Sequence, residues 1–230
     1  MEQMEEVLLE QVLPEEIEKQ SFAILSRELG DRVFLKGQEA IIKRVIHTTA
    51  DFEYADTLVF SENVVEKAED AIRNGACIVT DTQMAKAGIN KRVLARYGGE
   101  VFCFMSDEDV AEEARSRRLT RAAVSMEKAA RLEVPLIFAI GNAPTALIKL
   151  YELVKNGVLK PELLIGVPVG FVNVVQAKEL ILKTEVPSIV ARGRKGGSNV
   201  AAAICNAILY QMEREGQKEK DRKKKTERQG

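Results

Sequence analysis

Short, continuous apolar runs alternate with longer amphipathic segments over most of this chain. The apolar runs cover residues 76–80, 101–104, 136–140, 163–167 and 189–191. Apolar residues at helical spacing lie between them, over residues 62–74, 107–133, 143–156, 170–183 and 198–214. Apolar strands separated by amphipathic helices are typical of βαβ units, in which helices cover both faces of a parallel sheet. The pattern therefore predicts a three-layer α/β/α domain with about five mostly parallel strands.

Two further helices are predicted before this alternating region. Residues 14–29 form the first, because Pro14 suits an opening helical turn, acidic residues favour the positive end of a helix, and Gly30 suits a helix end. The second runs from about Gly37 to about Ile46, and the single histidine of the chain lies at its end.

The amphipathic pattern is lost after residue 212, where basic residues alternate with acidic ones. A segment with almost nothing apolar to bury cannot offset the entropy lost on ordering, so residues 213–230 are predicted to form a charged, disordered tail. A weak contact of this tail with nucleic acid or membrane is the alternative. Residues 1–212 are predicted to form a single α/β domain with an N-terminal helical segment.

Composition and charge narrow the class of protein. The 230 residues are 46% hydrophobic, which is enough for a sizeable core. Lys and Arg number 34 against 35 Asp and Glu, so the chain has no overall basic character of the kind that nucleic-acid binding needs. No apolar run approaches the ~20 residues of a membrane-spanning helix, and the N-terminus lacks the pattern of a signal peptide. We therefore expect a cytoplasmic protein that binds neither nucleic acid nor membrane.

The cysteines are predicted to be buried free thiols. Cys77, Cys103 and Cys205 are far apart in sequence, and each lies in an apolar segment. Buried thiols of this kind fit a reducing compartment. Because the chain has one histidine and no Cys-x-x-Cys pair, it cannot build a histidine-rich zinc site, and we expect no structural metal.

His47 is the only histidine, and it lies in an unusually polar stretch. Two threonines follow it, and Asp51, Glu53 and Asp56 lie within nine residues. Histidine is the one side chain whose ordinary pKa, about 6.5, lies near neutrality, so His47 is the first candidate for moving a proton. The alternative is a histidine that only helps to complete a helix.

Four polar segments follow the predicted strands. In an open parallel sheet, ligands bind outside the carboxyl ends of the strands, so these segments are candidates for a binding site: residues 80–84, 141–145, 166–173 and 192–199. Each has the composition of a turn that exposes backbone N–H groups at a helix start, which attracts anions. The last also carries Arg192, Arg194 and Lys195. Together they predict a ligand with several negative groups, and ordinary turn chemistry is the alternative.

A series of motifs in one order identifies a family. They are IEKQSF at residues 17–22, HTTADFEYA at 47–55, TDTQM at 80–84, TR at 120–121, GNAPT at 141–145, GVPVGFV at 166–172 and RGRKGGS at 192–198. Over roughly residues 10–212, the chain closely resembles the precorrin-8X methylmutases of corrin biosynthesis, including their cobalt-precorrin-8 branch. One departure is Ala50, where many members have glycine.

The resemblance implies a flavodoxin-like fold and a homodimer with active sites near the subunit interface. It also implies an isomerase of cobalamin biosynthesis that converts precorrin-8X or cobalt-precorrin-8 to hydrogenobyrinic or cobyrinic acid. A methyl group on ring C would move to the neighbouring carbon by a [1,5]-sigmatropic shift. No external methyl donor or cofactor is expected, and any cobalt would arrive within the corrinoid substrate. A non-catalytic corrinoid-binding protein of the same fold is the alternative.

The resemblance further implies roles for single residues. His47 is the expected proton donor to the conjugated ring, and a well-placed general acid typically contributes ~10²–10⁴-fold to a rate. Ser21 would donate a hydrogen bond beside the ring. Arg121 would pair with a peripheral carboxylate, for which its planar fork is suited.

Other candidates for the substrate site follow from their places in the polar segments. Arg192 and Arg194 are expected to bind further carboxylates of the substrate. Thr48, Thr49 and Asp81 are expected to lie in the same site and to orient His47.

Overall fold

The computed structural model describes residues 13–227, which belong to two compact units. The first unit ends at Val33 and contains helix α1 (Pro14–Leu29), which begins with proline and ends before Gly30 as the sequence predicts. The second unit begins at Phe34 and contains all of the described strands.

A six-stranded sheet forms the centre of the second unit. Its strands are β1 (Leu58–Phe60), β2 (Cys77–Thr80), β3 (Val101–Phe102), β4 (Leu136–Ile140), β5 (Leu163–Gly166) and β6 (Ser188–Ala191). Their spatial order is β1-β6-β5-β4-β2-β3, and only β1 is antiparallel to its neighbour. The five parallel strands follow the 2-1-3-4-5 order of flavodoxin-like folds. The predicted fold class is confirmed, and β1 is an addition that the sequence analysis did not predict.

The helices of the second unit form two layers. They are α2 (Gln38–Thr49), α3 (Tyr54–Thr57), α4 (Val64–Arg73), α5 (Gln83–Gly88), α6 (Lys91–Ala95), α7 (Glu108–Arg117), α8 (Arg121–Ala129), α9 (Pro144–Lys155), α10 (Val174–Leu182) and α11 (Ser198–Glu227). Helices α2, α4, α5 and α6 pack around α11, whereas α7 to α10 pack on one another in sequence.

The central position of β4 and β5 in the sheet explains why their sequences are continuously apolar. Every residue of β4 and β5 is buried, because helices cover both faces of the sheet. Phe138 of β4 packs with Met126 of α8, Leu147 of α9 and Ile181 of α10 in one apolar cluster. Full burial of a side chain of this size contributes about 1.5–3 kcal/mol to the free energy of unfolding. The core therefore fixes the sheet and leaves the loops at its ends available for chemistry.

Helix α11 differs from the sequence analysis, since it continues to Glu227 through a segment predicted to be disordered. Arg96 Nη1 lies 2.6 Å from Glu213 Oε1, and Arg73 Nη2 lies 3.8 Å from Glu215 Oε2. The prediction counted apolar residues only and did not include ion pairs to neighbouring helices. Residues 228–230 lie outside the described residues, and the predicted domain boundary at residue 212 stays a prediction.

Two further predictions concern the cysteines and the membrane. Cys77, Cys103 and Cys205 are all buried free thiols, which confirms the prediction. Within residues 13–227, none of the helices has both the length and the apolar character needed to cross a membrane.

Candidate active site

The carboxyl ends of the parallel strands define the candidate site. Strand order reverses between β2 and β4, and ligands of open α/β sheets bind at such a point. The loops after β4 and β6 touch there, because a Cβ atom on Gly141 would lie only 2.6 Å from the carbonyl oxygen of Gly197. The N–H group of Gly197 in turn donates to the carbonyl oxygen of Val167, after β5, at 2.9 Å. Loops from three strands thus form one continuous surface.

Asp81 organises this surface from inside. It follows β2 directly and is fully buried. Its Oδ1 accepts a hydrogen bond from the N–H of Gly141 at 2.9 Å, and its Oδ2 accepts from those of Asn142 and Ala143 at 2.8 and 2.6 Å. Burial raises the pKa of the Asp81 carboxyl, and the three N–H groups act in the opposite direction.

Asp81 lies in one of the predicted anion-binding loops and binds the main-chain N–H groups of another. The N–H groups before α9, which the sequence analysis offered to a substrate anion, already bind the carboxylate of Asp81. This carboxylate is fully buried among the loops after β2 and β4. Asp81 therefore joins two loops of the site, and its predicted role in orienting His47 stays a prediction.

His47 lies in the last turn of α2 and is exposed. Near the start of α2, the carbonyl oxygen of Gly37 accepts a hydrogen bond from Gln211 Nε2 of α11 at 2.8 Å. Just after the end of α2, Asp51 contacts Lys195, which precedes α11. Helices α2 and α11 are therefore antiparallel, and since α11 begins at the carboxyl edge of the sheet, His47 lies at that edge too.

Lys195 ties the loop after β6 to the turn after His47. Its Nζ lies 2.6 Å from Asp51 Oδ2 and 2.7 Å from Glu53 Oε2. The ammonium group lowers the pKa of Asp51, and the two carboxylates raise the pKa of Lys195. The contact brings the loop after β6 next to the turn after His47, although exposed ion pairs of this kind contribute little to stability.

The hydroxyl groups of the two threonines after His47 donate to carbonyl groups of the same helix. Thr48 Oγ1 donates to the carbonyl oxygen of Arg44, and Thr49 Oγ1 donates to that of Val45, both at 2.8 Å. Thr49 Oγ1 also accepts from the N–H of Asp51 at 3.3 Å. Both hydroxyl groups thus hold the last turn of α2, and their predicted contact with substrate stays a prediction.

Ala50 ends α2 in a left-handed conformation, with φ 53° and ψ 28°. Its N–H donates to the carbonyl oxygen of Ile46 at 2.7 Å. For a residue with a Cβ atom, this conformation costs about 1–2 kcal/mol, whereas glycine adopts it freely. Glycine therefore suits this position. Alanine adopts the same turn at a cost of this size.

Ala50→Gly is expected to raise the free energy of unfolding by about 1 kcal/mol, because it removes the strain and exposes no apolar surface. Urea denaturation measures the change. Ala111→Gly, on α7 with ordinary helical geometry, is the control and should lower the free energy of unfolding by about 1 kcal/mol. Equal losses in both variants would contradict the interpretation.

Arg121 is the first residue of α8 and is exposed. Thr120 caps α8 by accepting a hydrogen bond from the N–H of Ala123 at 3.2 Å. Thr120 Oγ1 also donates to Thr145 Oγ1 at 2.8 Å, near the start of α9. This bond places Arg121 at the carboxyl edge of the sheet, beside the loop after β4.

The two predicted arginines of the loop after β6 are also exposed. Arg192 Nε lies 3.4 Å from Glu179 Oε1, on α10. The guanidinium carbon of Arg194 lies 5.6 Å from the centre of the Phe171 ring. Phe171 and Val172 are 83% and 79% exposed, which is unusual for apolar side chains of this size. The edge thus presents an apolar surface beside cationic groups.

Arg121, Arg192, Arg194 and the end of α2 with His47 lie at one edge of the sheet. Ser21 lies in α1, within the first unit, and its contact with substrate stays a prediction. Among the described side chains, no group of three His, Cys, Asp or Glu is arranged to hold a metal ion.

Sequence reasoning missed Lys178 of α10. Its side chain is fully buried, and its Nζ donates to the carbonyl oxygens of Gly193 and Lys195 at 2.9 and 2.8 Å. Burial lowers the pKa of Lys178 to about 8. A signal was present, because Lys178 falls on the buried stripe of α10 with Val174 and Ile181, where helical spacing requires apolar residues.

Comparison with known proteins identifies the family. Residues 16–211 match the precorrin-8X methylmutase family. Cobalt-precorrin-8 methylmutases of Priestia megaterium and Salmonella typhimurium are each 46% identical to this chain, over 86% of it and over 88% and 96% of their own lengths. A precorrin-8X methylmutase of Pseudomonas aeruginosa is 35% identical, over 86% of this chain and 95% of its own length.

A solved structure agrees with these sequence comparisons. The precorrin-8X methylmutase of Thermus thermophilus superposes with a TM-score of 0.77 at 38% identity, over 85% of this chain and 96% of that chain. The chain belongs to the precorrin-8X methylmutase family, as the motifs predict. It is an isomerase of cobalamin biosynthesis that acts as an intramolecular transferase.

Proposed function

We propose that this isomerase moves a methyl group to the neighbouring carbon of ring C of a precorrin-8X or cobalt-precorrin-8 macrocycle, giving hydrogenobyrinic or cobyrinic acid. The observation that carries the proposal is the exposed His47 at the edge of the sheet where Arg121, Arg192 and Arg194 also lie. The [1,5]-sigmatropic shift needs no external methyl donor and no resident cofactor. Any cobalt is part of the substrate.

Cobalt-precorrin-8 is the favoured substrate of the two. Identity is 46% with two relatives named for the cobalt-containing compound and 35% with a relative named for precorrin-8X.

His47 acts as the general acid in this proposal. Its imidazolium donates a proton to the conjugated macrocycle, which becomes electron-poor, and the methyl group then migrates with its bonding electrons. Return of the proton to the imidazole leaves substrate and product isomeric. General acids of this kind contribute typically ~10²–10⁴-fold, and the fixed orientation of a flat macrocycle contributes more.

The remaining groups bind and orient the substrate. The exposed ring of Phe171 and side chain of Val172 provide apolar contact for a flat macrocycle. Arg121 and Arg194 supply planar guanidinium groups for peripheral carboxylates. Arg192 releases Glu179 and pairs with a substrate carboxylate instead. Little free energy is lost on release, because the ion pair between Arg192 and Glu179 is exposed.

We also propose a homodimer with the site near the subunit interface, and a cytoplasmic location. The first rests on the family resemblance alone. The second is supported by the buried free thiols Cys77, Cys103 and Cys205, which fit a reducing compartment.

Single-turnover conversion tests the reaction. Excess protein is mixed with cobalt-precorrin-8 or precorrin-8X, the protein is denatured after set times, and the released corrinoid is separated by chromatography. This step is necessary because product binding alone changes the absorbance of the mixture. We expect conversion of both compounds, and faster conversion of the cobalt form. A corrinoid that is bound but released unchanged would reject the proposal and favour the non-catalytic alternative.

Arg121→Ala is expected to weaken binding of the corrinoid product roughly 10- to 100-fold, since hydrogen bonds to a charged group contribute roughly 1.5–3 kcal/mol. Titration followed by absorbance measures the dissociation constant. Arg131→Ala removes an exposed arginine beyond the other end of α8 and should leave the affinity unchanged. Equal affinity of the Arg121 variant and the wild type would remove Arg121 from the site.

A further inference from the structure

The loop between β6 and α11, residues 192–197, lacks stiffness of its own. Three of its six residues are glycine, and Gly193 and Gly197 have φ of 78° and 146°. Glycine loses more conformational freedom on folding than any other residue. A loop of this composition keeps one shape only if neighbouring segments hold it.

Lys178 stabilises this loop from the interior of the protein. Its side chain is fully buried, and its Nζ donates to two main-chain carbonyl oxygens of this loop, those of Gly193 and Lys195. Fully buried lysines are rare, because burial of an unpaired ammonium group is costly. Without a donor at this position, the carbonyl oxygens of Gly193 and Lys195 would lose a hydrogen-bond partner, so the lysine and the shape of this loop depend on each other.

The same loop contains two arginines of the proposed site and forms ion pairs with the segment after His47. The backbone of Lys195 is fixed by Lys178, while its own ammonium group binds Asp51 and Glu53, directly after the helix of His47. Arg192 and Arg194 lie in the same loop, on either side of Gly193.

We propose that Lys178 is a positioning residue, which fixes the loop of residues 192–197 through two carbonyl groups and so presents Arg192 and Arg194 to substrate carboxylates. The role of the arginines rests on the proposed function. The effect of Lys178 on the loop is argued from its two hydrogen bonds and does not depend on the proposed function. The lowered pKa of this lysine, about 8, agrees with the burial of its side chain.

Lys178→Met tests the proposal, because methionine has a similar length and cannot donate a hydrogen bond. Ile181→Val is the matched control, since it alters a fully buried residue of the same helix that packs in the core. Lys178→Gln, which keeps an N–H donor on a shorter side chain, is a second variant that keeps the test valid should the methionine variant fail to fold.

Amide hydrogen exchange of peptides from residues 192–197 is the first measurement. We expect exchange at least about tenfold faster in Lys178→Met than in wild type or Ile181→Val, an intermediate rate in Lys178→Gln, and no change in peptides from β4. Steady-state kinetics is the second. KM should rise about tenfold in Lys178→Met, with less than about a threefold change in kcat, because the loss affects carboxylate binding.

Equal exchange in Lys178→Met and Ile181→Val would overturn the proposal, since Lys178 would then act only as a core residue. Faster exchange with an unchanged KM would overturn it as well, because the loop would then not serve the site. Hydrogen exchange needs no substrate. A wild-type protein that converts no corrinoid would therefore reject the proposed function, and the exchange rates would still decide whether Lys178 holds the loop.

Discussion

His47→Ala is expected to give a folded protein that still binds the corrinoid product and has lost turnover by about 10²–10⁴-fold. The imidazole is exposed in the last turn of α2, so its removal creates no cavity in the core. The loss should appear in kcat more than in the affinity for product, because the proton is needed only as the methyl group migrates. Single-turnover conversion and an absorbance titration measure the two quantities separately.

His47→Gln is the matched variant for this prediction. Glutamine keeps a hydrogen-bonding side chain of similar reach and does not exchange a proton near neutral pH. Both variants should therefore be inactive to a similar degree if proton donation is the role of His47. A glutamine variant with near wild-type turnover would show that hydrogen bonding is sufficient, and the acid role would be wrong.

Asp81→Asn is expected to lower the free energy of unfolding by about 3 kcal/mol or more, the second large effect. Three N–H groups converge on the carboxylate at 2.6–2.9 Å. An amide offers one acceptor oxygen and turns an NH₂ group toward the remaining donors, so buried N–H groups lose their partners. Each such loss costs about 1–3 kcal/mol. Urea denaturation gives the change.

Asp70→Asn provides the control for charge removal. Asp70 is exposed on α4 and accepts a hydrogen bond from Arg73 Nη1 at 2.9 Å. This substitution should change the free energy of unfolding by less than about 0.5 kcal/mol. A similar small change in Asp81→Asn would mean that the loops after β2 and β4 do not depend on the buried carboxylate.

The sequence predicted the central strands because burial on both faces requires apolar residues at successive positions. Strands β2, β4, β5 and β6 are fully buried, and apart from Thr80 and Ser188 at strand ends they have no polar side chains. Strand β1 is three residues long with only Leu58 buried, and α5 and α6 have six and five residues. Elements of that length are too short to show a period, so the same reasoning missed them.

The site was predicted in part for a similar physical reason. His47 and the loops after the strands were found because residue type and topology point to them. The role of Asp81 depends on N–H groups about sixty residues away, and that of Lys178 depends on carbonyl groups of a different loop. Contacts of this kind arise only when the chain is folded, and the residues alone do not specify the partner.

The two outermost strands of the sheet are both very short. Strand β1 has three residues and strand β3 has two. Open rows of main-chain groups at a sheet border recruit foreign strands and lead to aggregation, and borders this short offer little template. The short borders thus protect the sheet against growth from one copy into the next.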